Sequence, residues 1–411
     1  MNRSVMKHRG VRGFAQVLLS NCILIVIGVV SSFIVPGSMS PTEFGYWQTY
    51  LLYDAYVGLV LFGYCDGIYL RYGGVEYGAL PRRLFSSFFA VMLLYLVGAA
   101  VCLSLFILCS GADAKDKYIL YAVAMSMVLR CMISFFVLIN QATARFKVYS
   151  IGNTIEKVFF VCTVVAVMFY SYIDMYRLIA ISLSGQIAAL VYNLVTSKSL
   201  FARPLVVDRN VLKEIKENIA AGFPLTMYGI SSMLMTGIGK FCVERYLGKE
   251  QFGYYSFAFP MMAVVSQVIA AASLVLFPIL KQSEKHNIER LMYFADKWSV
   301  PAFFAIISIY IPASIVVKVY LPAYKPTLPC LLILLPMLFF QAKITMVYNT
   351  ILKVQRKERK MMEASVVAVV SCAILTLITL KIYPSLMAVA ICTTASYMFW
   401  NFLLKKMMSV L

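Results

Sequence analysis

The chain has 411 residues, of which 62% are hydrophobic and 13% charged, with a formal net charge of +19. Mean hydropathy is +0.82. A soluble chain of this length needs far more polar surface, so the composition is that of a multi-spanning membrane protein.

Arg3, Lys7, Arg9 and Arg12 precede an apolar run that continues from 14 to 35. That run is too long for a cleaved signal and reads as the first span. Twelve spans are predicted in all, at 14–35, 44–66, 84–109, 118–140, 150–171, 175–197, 217–239, 252–280, 298–320, 328–351, 361–380 and 385–404. Only helices satisfy their backbones within such segments, so the expected fold class is an all-α integral membrane protein.

Charge orients the spans. Alternate connections, counted with the N-terminus, hold 25 of the 37 basic residues, and the other connections hold nine, among them Lys240, Arg245 and Lys249. The positive-inside rule then puts both termini in the cytoplasm and accounts for the net charge without nucleic acid as a partner. Three basic residues remain inside spans: Arg130, Lys157 and Lys343.

The ten cysteines are scattered without a CxxC pair, and the two histidines, His8 and His286, fall in predicted loops. This pattern supplies no metal site, disulfide framework or cofactor ligand set. The chain reads as a non-enzyme.

The polar connection from Lys198 to Asn218 divides the chain into two halves of six spans, 1–205 and 206–411. Six is even, so the second half enters the membrane in the same sense as the first, about a pseudo-twofold axis along the membrane normal. Phe44-Gly45-Tyr46 recurs as Phe252-Gly253-Tyr254, and Gly13-Phe14 recurs as Gly222-Phe223. These echoes favour a duplicated half. The second half carries Pro224, Pro260, Pro312 and Pro336 inside spans, where proline permits a kink.

The segment Glu43–Gly74, EFGYWQTYLLYDAYVGLVLFGYCDGIYLRYGG, opens on EFGYWQ and closes on DGIYLRYGG. It resembles the polysaccharide (oligosaccharide, O-antigen) flippase family of the multidrug/oligosaccharidyl-lipid/polysaccharide exporter superfamily. The resemblance implies two six-helix bundles in a V around a central cavity, working by alternating access in the bacterial cytoplasmic membrane. It implies an undecaprenyl-diphosphate-linked glycan as cargo, an O-antigen or capsule repeat unit, with the polysaccharide polymerase machinery as a possible partner. It also implies cationic residues facing the cavity. The first span holds none in its middle, only Arg12 at its mouth, and Arg71 sits near the end of the second.

Arg130, Lys157 and Lys343 are the candidate diphosphate-binding residues; the structural alternative is pairing with a neighbouring acid, or snorkelling for the lysines. Asp54, Asp66 and Glu156 are candidates for coupling or cavity lining. Asp54, near mid-span, can carry a proton or pair with a base. Asp66 is expected to contact Arg71 or a helix end. Tyr46, Tyr50 and Asp54 recur at helical spacing on one face. There Tyr50 and Tyr53 can meet a sugar ring, while Tyr46 and Trp47 suit an aromatic belt. Asn21 offers an amide for helix or substrate contact, and Arg71 a sugar or helix contact. Gly63 and Gly67 form a small-xxx-small pair for close packing.

The alternatives are a drug or cation antiporter of the same superfamily, expected to show a smaller or more acidic cavity, and a polysaccharide polymerase. A polymerase requires a large external loop, and every predicted external loop is short.

Overall fold

The computed structural model describes Gly28 and residues 33–170, 172–201, 208–281, 297–354 and 358–409. Most of the first predicted span, with Arg12 and Asn21, lies outside the described residues.

The described elements are helices. In chain order they are α1 (Pro41–Asp54), a 3-10 turn (Val57–Leu61), α2 (Tyr64–Arg71), α3 (Arg82–Cys109), α4 (Ala114–Ala142), α5 (Phe146–Met168), α6 (Met175–Thr196) and α7 (Arg209–Tyr246). There follow α8 (Lys249–Lys281), α9 (Ser299–Ser308), α10 (Tyr310–Tyr320), α11 (Thr327–Ala342), a π-helical turn (Lys343–Tyr348), α12 (Asn349–Val354), α13 (Glu358–Ile382) and α14 (Leu386–Ser409). Among the described residues, nine helical segments are long and apolar enough to cross a membrane. The protein is an all-α membrane protein.

Local chemistry sets the ends and breaks. Asp174 caps α6 by accepting from the Arg177 N–H at 2.9 Å, and Asp208 caps α7 by accepting from Val211 at 2.8 Å. The predicted span 44–66 is not one straight helix. Phe62 and Gly63 adopt φ of 47° and 85°, and the chain bends by 58° there. A left-handed pair cannot continue a right-handed helix, so α2 starts afresh at Tyr64. The predicted span 298–320 remains one span, interrupted only at Ile309, which keeps right-handed helical angles. Pro312 has no N–H for the Ser308 carbonyl, and its ring crowds that turn.

The chain forms two compact units. In the first, Thr49–Met227, α3 and α6 pack on α4, and α5 packs on α6. Leu94 and Phe106 of α3 are 76% and 71% exposed, an apolar surface suited to lipid. Gly67 closes the contact between α2 and the start of α7. A Cβ there would lie 1.7 Å from the Asn218 carbonyl oxygen, and one on Gly222 would lie 2.0 Å from that of Gly63. The small-xxx-small pair thus packs closely, with Gly63 at the bend itself.

The second unit joins Gly28–Gln48 to Tyr228–Leu411. In it α14 packs on α11 and α13, and α8 packs on α11. Here the two Phe-Gly-Tyr echoes meet. A Cβ on Gly45 would lie 1.9 Å from the Lys249 carbonyl oxygen, and one on Gly253 would lie 2.2 Å from the Pro41 carbonyl oxygen. Each glycine faces the carbonyl four residues before the other, as a local twofold relation requires. Phe44 and Phe257 seal the contact edge to face at 5.9 Å.

Candidate functional site

Three of the intramembrane charges of the first half converge on one place. Asp54 ends α1, Arg130 lies within α4 and Glu156 within α5. The Arg130 guanidinium donates through Nε to both oxygens of Asp54, at 2.8 and 2.7 Å. Nη2 donates to Glu156 Oε1 at 2.9 Å, and Nη1 lies 3.5 Å from Oε2. Behind Asp54, Ser126 donates to the same carboxylate and lies 2.9 Å from Gln186 Oε1. The Gln186 amide reaches the Tyr50 hydroxyl at 3.3 Å.

The two acids are not equivalent. The Asp54 side chain is 5% exposed and held from two sides, whereas the Glu156 side chain is 18% exposed and, among the described residues, hydrogen-bonds only to Arg130. Arg130 is 34% exposed on its side chain. The triad opens into a cavity of about 500 Å³ that Asn153 and Ser134 also line. With both acids ionised it carries one net negative charge. Arg130 therefore both pairs with neighbouring acids and lines a cavity, the two readings that its position in the sequence left open.

The other sequence candidates lie elsewhere. Lys157 follows Glu156 but is exposed on a different side of α5, since adjacent residues do not share a helix face. Lys343 belongs to the second unit, where it opens the π-helical turn and donates to Ser299 Oγ at 3.0 Å. Tyr50 is fully buried and Tyr53 half-buried. Trp47 is 5% exposed, and the Lys249 ammonium lies 5.4 Å from the Tyr46 ring centre.

Asp66 does not pair with Arg71. It sits in the first turn of α2, where the helix dipole favours a carboxylate, and accepts from Thr226 at 2.6 Å. Arg71 instead grips α7. It donates to Asn218 Oδ1 at 2.6 Å, Glu214 Oε2 at 2.7 Å, Glu217 Oε2 at 2.8 Å and the Glu214 carbonyl at 3.1 Å. This is the helix contact, made by a planar fork with several acceptors. The side chains are a quarter to nearly half exposed, which screens the pairs. Arg71→Lys is expected to cost about 1 kcal/mol, read as a drop of a few degrees in the melting temperature of the purified protein, with insertion unchanged.

The predicted span 217–239 places Lys240 in the connection that follows it. The helix α7 runs on to Tyr246, so Lys240 is inside it, its ammonium 4.2 Å from the Phe259 ring centre. Among the described residues it makes no hydrogen bond or ion pair.

Residues 11–284 match the model of a family described as polysaccharide biosynthesis protein. The chain belongs to this family. No curated protein matches the sequence. Among solved structures, the chain is similar to a lipid II flippase, MurJ, in an inward closed conformation, with a TM-score of 0.73 at 13% identity over 96% of this chain and 87% of that one. It is also similar to an inward-facing multidrug resistance MATE family transporter of the MOP superfamily, with a TM-score of 0.63 at 10% identity over 94% and 95% of the two chains. These likenesses establish a shared flippase-like transporter fold for this member of the polysaccharide biosynthesis family.

Proposed function

We propose that the protein is a flippase that carries an undecaprenyl-diphosphate-linked oligosaccharide from the cytoplasmic to the outer leaflet of a bacterial inner membrane. It works by alternating access of its two six-span halves, 1–205 and 206–411, with both termini cytoplasmic. The repeat unit is one of O-antigen or capsule type, handed on to the polymerase machinery.

The observation that carries this reading is the Arg130 fork at a cavity lined by charged and apolar residues, inside a member of a polysaccharide biosynthesis family. A diphosphate cannot cross hydrocarbon with its charge unpaired. Arg130 offers it a planar donor fork, and Glu156 is the partner it displaces, because Asp54 is the more deeply held acid. Lys157 and Lys343 are not among the residues that line this cavity and contribute less.

A second reading has one observation in its favour. Two carboxylates against one guanidinium leave the cavity with a negative balance, which suits a cationic drug exchanged for a proton at Asp54 or Glu156. Deleting the gene separates the two. Under the flippase reading, the deletion strain accumulates its lipid-linked repeat unit on the cytoplasmic leaflet and loses the surface glycan. Normal surface glycan with increased sensitivity to cationic drugs would replace that reading with the antiporter.

A further inference from the structure

The second unit contains a small polar cavity remote in kind from the charged one. It has a volume of about 150 Å³ and is built from α7, the end of α11, the π-helical turn, Asn349 at the start of α12, and α14. The turn makes it possible. The Asn349 N–H bonds back five residues to the Ile344 carbonyl, and the Thr350 hydroxyl to that of Thr345 at 3.1 Å. One wide turn re-aims the side chains that follow, and such turns recur at functional sites.

Among the described residues, two buried polar atoms of this lining have no partner: Trp400 Nε1 and Asn349 Oδ1. Trp400 is 2% exposed and Asn349 5% exposed. The other end of the Asn349 amide is fixed, because Nδ2 donates to the Tyr228 hydroxyl at 3.0 Å. Its oxygen is therefore the acceptor left over. An unmatched buried polar atom costs about 1–3 kcal/mol, so two in one cavity call for an occupant that satisfies both.

The lining selects its chemistry. An indole N–H only donates, and an amide oxygen only accepts. A hydroxyl group does both. Among the described residues no carboxylate, lysine or arginine lines the cavity, so neither a metal cation nor a phosphate finds a counter-charge there. The Gln341 amide adds a further polar group. Tyr397 and Trp400, with ring centres 5.9 Å apart, supply apolar surface for the C–H face of a ring. Ser232 is exposed and marks the mouth.

We propose that this cavity is a subsite for one neutral, hydroxyl-rich sugar ring. Its assignment to a sugar of the transported glycan rests on the flippase reading; its ligand chemistry does not. The two sites divide the labour: Arg130 holds charge, and the Asn349–Trp400 cavity tests the identity of a sugar.

The experiment uses the full-length protein in detergent. The chain has three tryptophans, and Trp47→Phe with Trp298→Phe leaves Trp400 as the only one. The probes are the methyl glycosides of glucose, galactose, mannose, rhamnose and N-acetylglucosamine, with glucuronate, glucose phosphate and sodium chloride as charged controls. At least one neutral glycoside is expected to shift Trp400 emission saturably, without response to the controls. Asn349→Leu should weaken that binding about tenfold, the size of one hydrogen bond. Ser232→Leu, at the exposed mouth, should block it without touching the interior, which keeps the test sound if Asn349→Leu fails to fold. A Trp400 signal unmoved by every neutral glycoside means the cavity holds only water and overturns the proposal. So does binding that both variants leave intact, or a response confined to sodium or the anions. Because binding is read without transport, sugar binding in a protein whose deletion leaves the lipid-linked unit correctly placed would sink the flippase reading and keep the subsite.

Discussion

Arg130→Ala is expected to abolish surface display of the glycan in a deletion strain carrying the variant. Each hydrogen bond from a charged donor is worth about 1.5–3 kcal/mol, a tenfold to hundredfold loss in the affinity that drives translocation. Arg130→Lys keeps the charge and loses the fork, so it should retain part of the export. Lys157→Ala and Lys343→Ala should be milder still, because one side chain is solvent- or lipid-exposed and the other is tied to Ser299.

The same substitution also threatens the fold, and the two effects are separable. Removing the partner of a buried ion pair costs about 3–5 kcal/mol, because the remaining charge stays buried. Asp54 is the charge at stake, at 4% exposure. The combined Arg130→Leu, Asp54→Asn, Glu156→Gln variant removes all three charges and should insert at normal levels. Under the proposed mechanism it still fails to export, because nothing remains to meet the diphosphate. Export by this neutral variant would reduce the triad to an assembly device. A selective recovery in Glu156→Gln alone, with tighter capture of diphosphate lipid, is the signature of the displaceable acid.

The sequence disclosed the charges of this site but not their meeting. Asp54, Arg130 and Glu156 stand out because ionised groups within apolar runs are costly. They are separated along the chain by 76 and 26 residues, so their contact follows from the packing of α1, α4 and α5. No local pattern reports it. Hydropathy also reads through the bend at Gly63, because an apolar run has the same composition whether it is straight or broken. It stopped one residue short of Lys240, since a lysine ends an apolar window whether or not it ends the helix. The neutral cavity was invisible for another reason. Asn349 and Trp400 are ordinary residues until a π-helical turn and a missing hydrogen-bond partner make them notable. Asp66 and Arg71, five apart and opposite in charge, suggested a local pair. Acceptors on α7 outcompete it for the guanidinium.

The repeated Phe-Gly-Tyr was legible as an echo, and its physical content supplies the other large effect. Gly45→Ala and Gly253→Ala each place a methyl carbon about where a helix carbonyl oxygen already lies, 1.9 Å and 2.2 Å away respectively. Ordinary overpacking costs about 1–3 kcal/mol when side chains can give way. Here the obstacle is backbone, held in its own helix, so α1 and α8 must separate as bodies. Each variant is expected to exceed that range and to appear as loss of folded protein in the membrane. Gly98→Ala on α3, with nothing within 4 Å of its Cβ among the described residues, should melt like the parent. The reciprocal geometry adds a sharper expectation. Once one alanine has pushed the helices apart, the second finds part of its space already open. The double variant should therefore cost less than the sum of the singles, a coupling that contacting sites show and independent ones do not. Additive losses in thermal melts would mean that the two glycines relieve separate contacts, and the local twofold relation between the echoes would then be without energetic consequence.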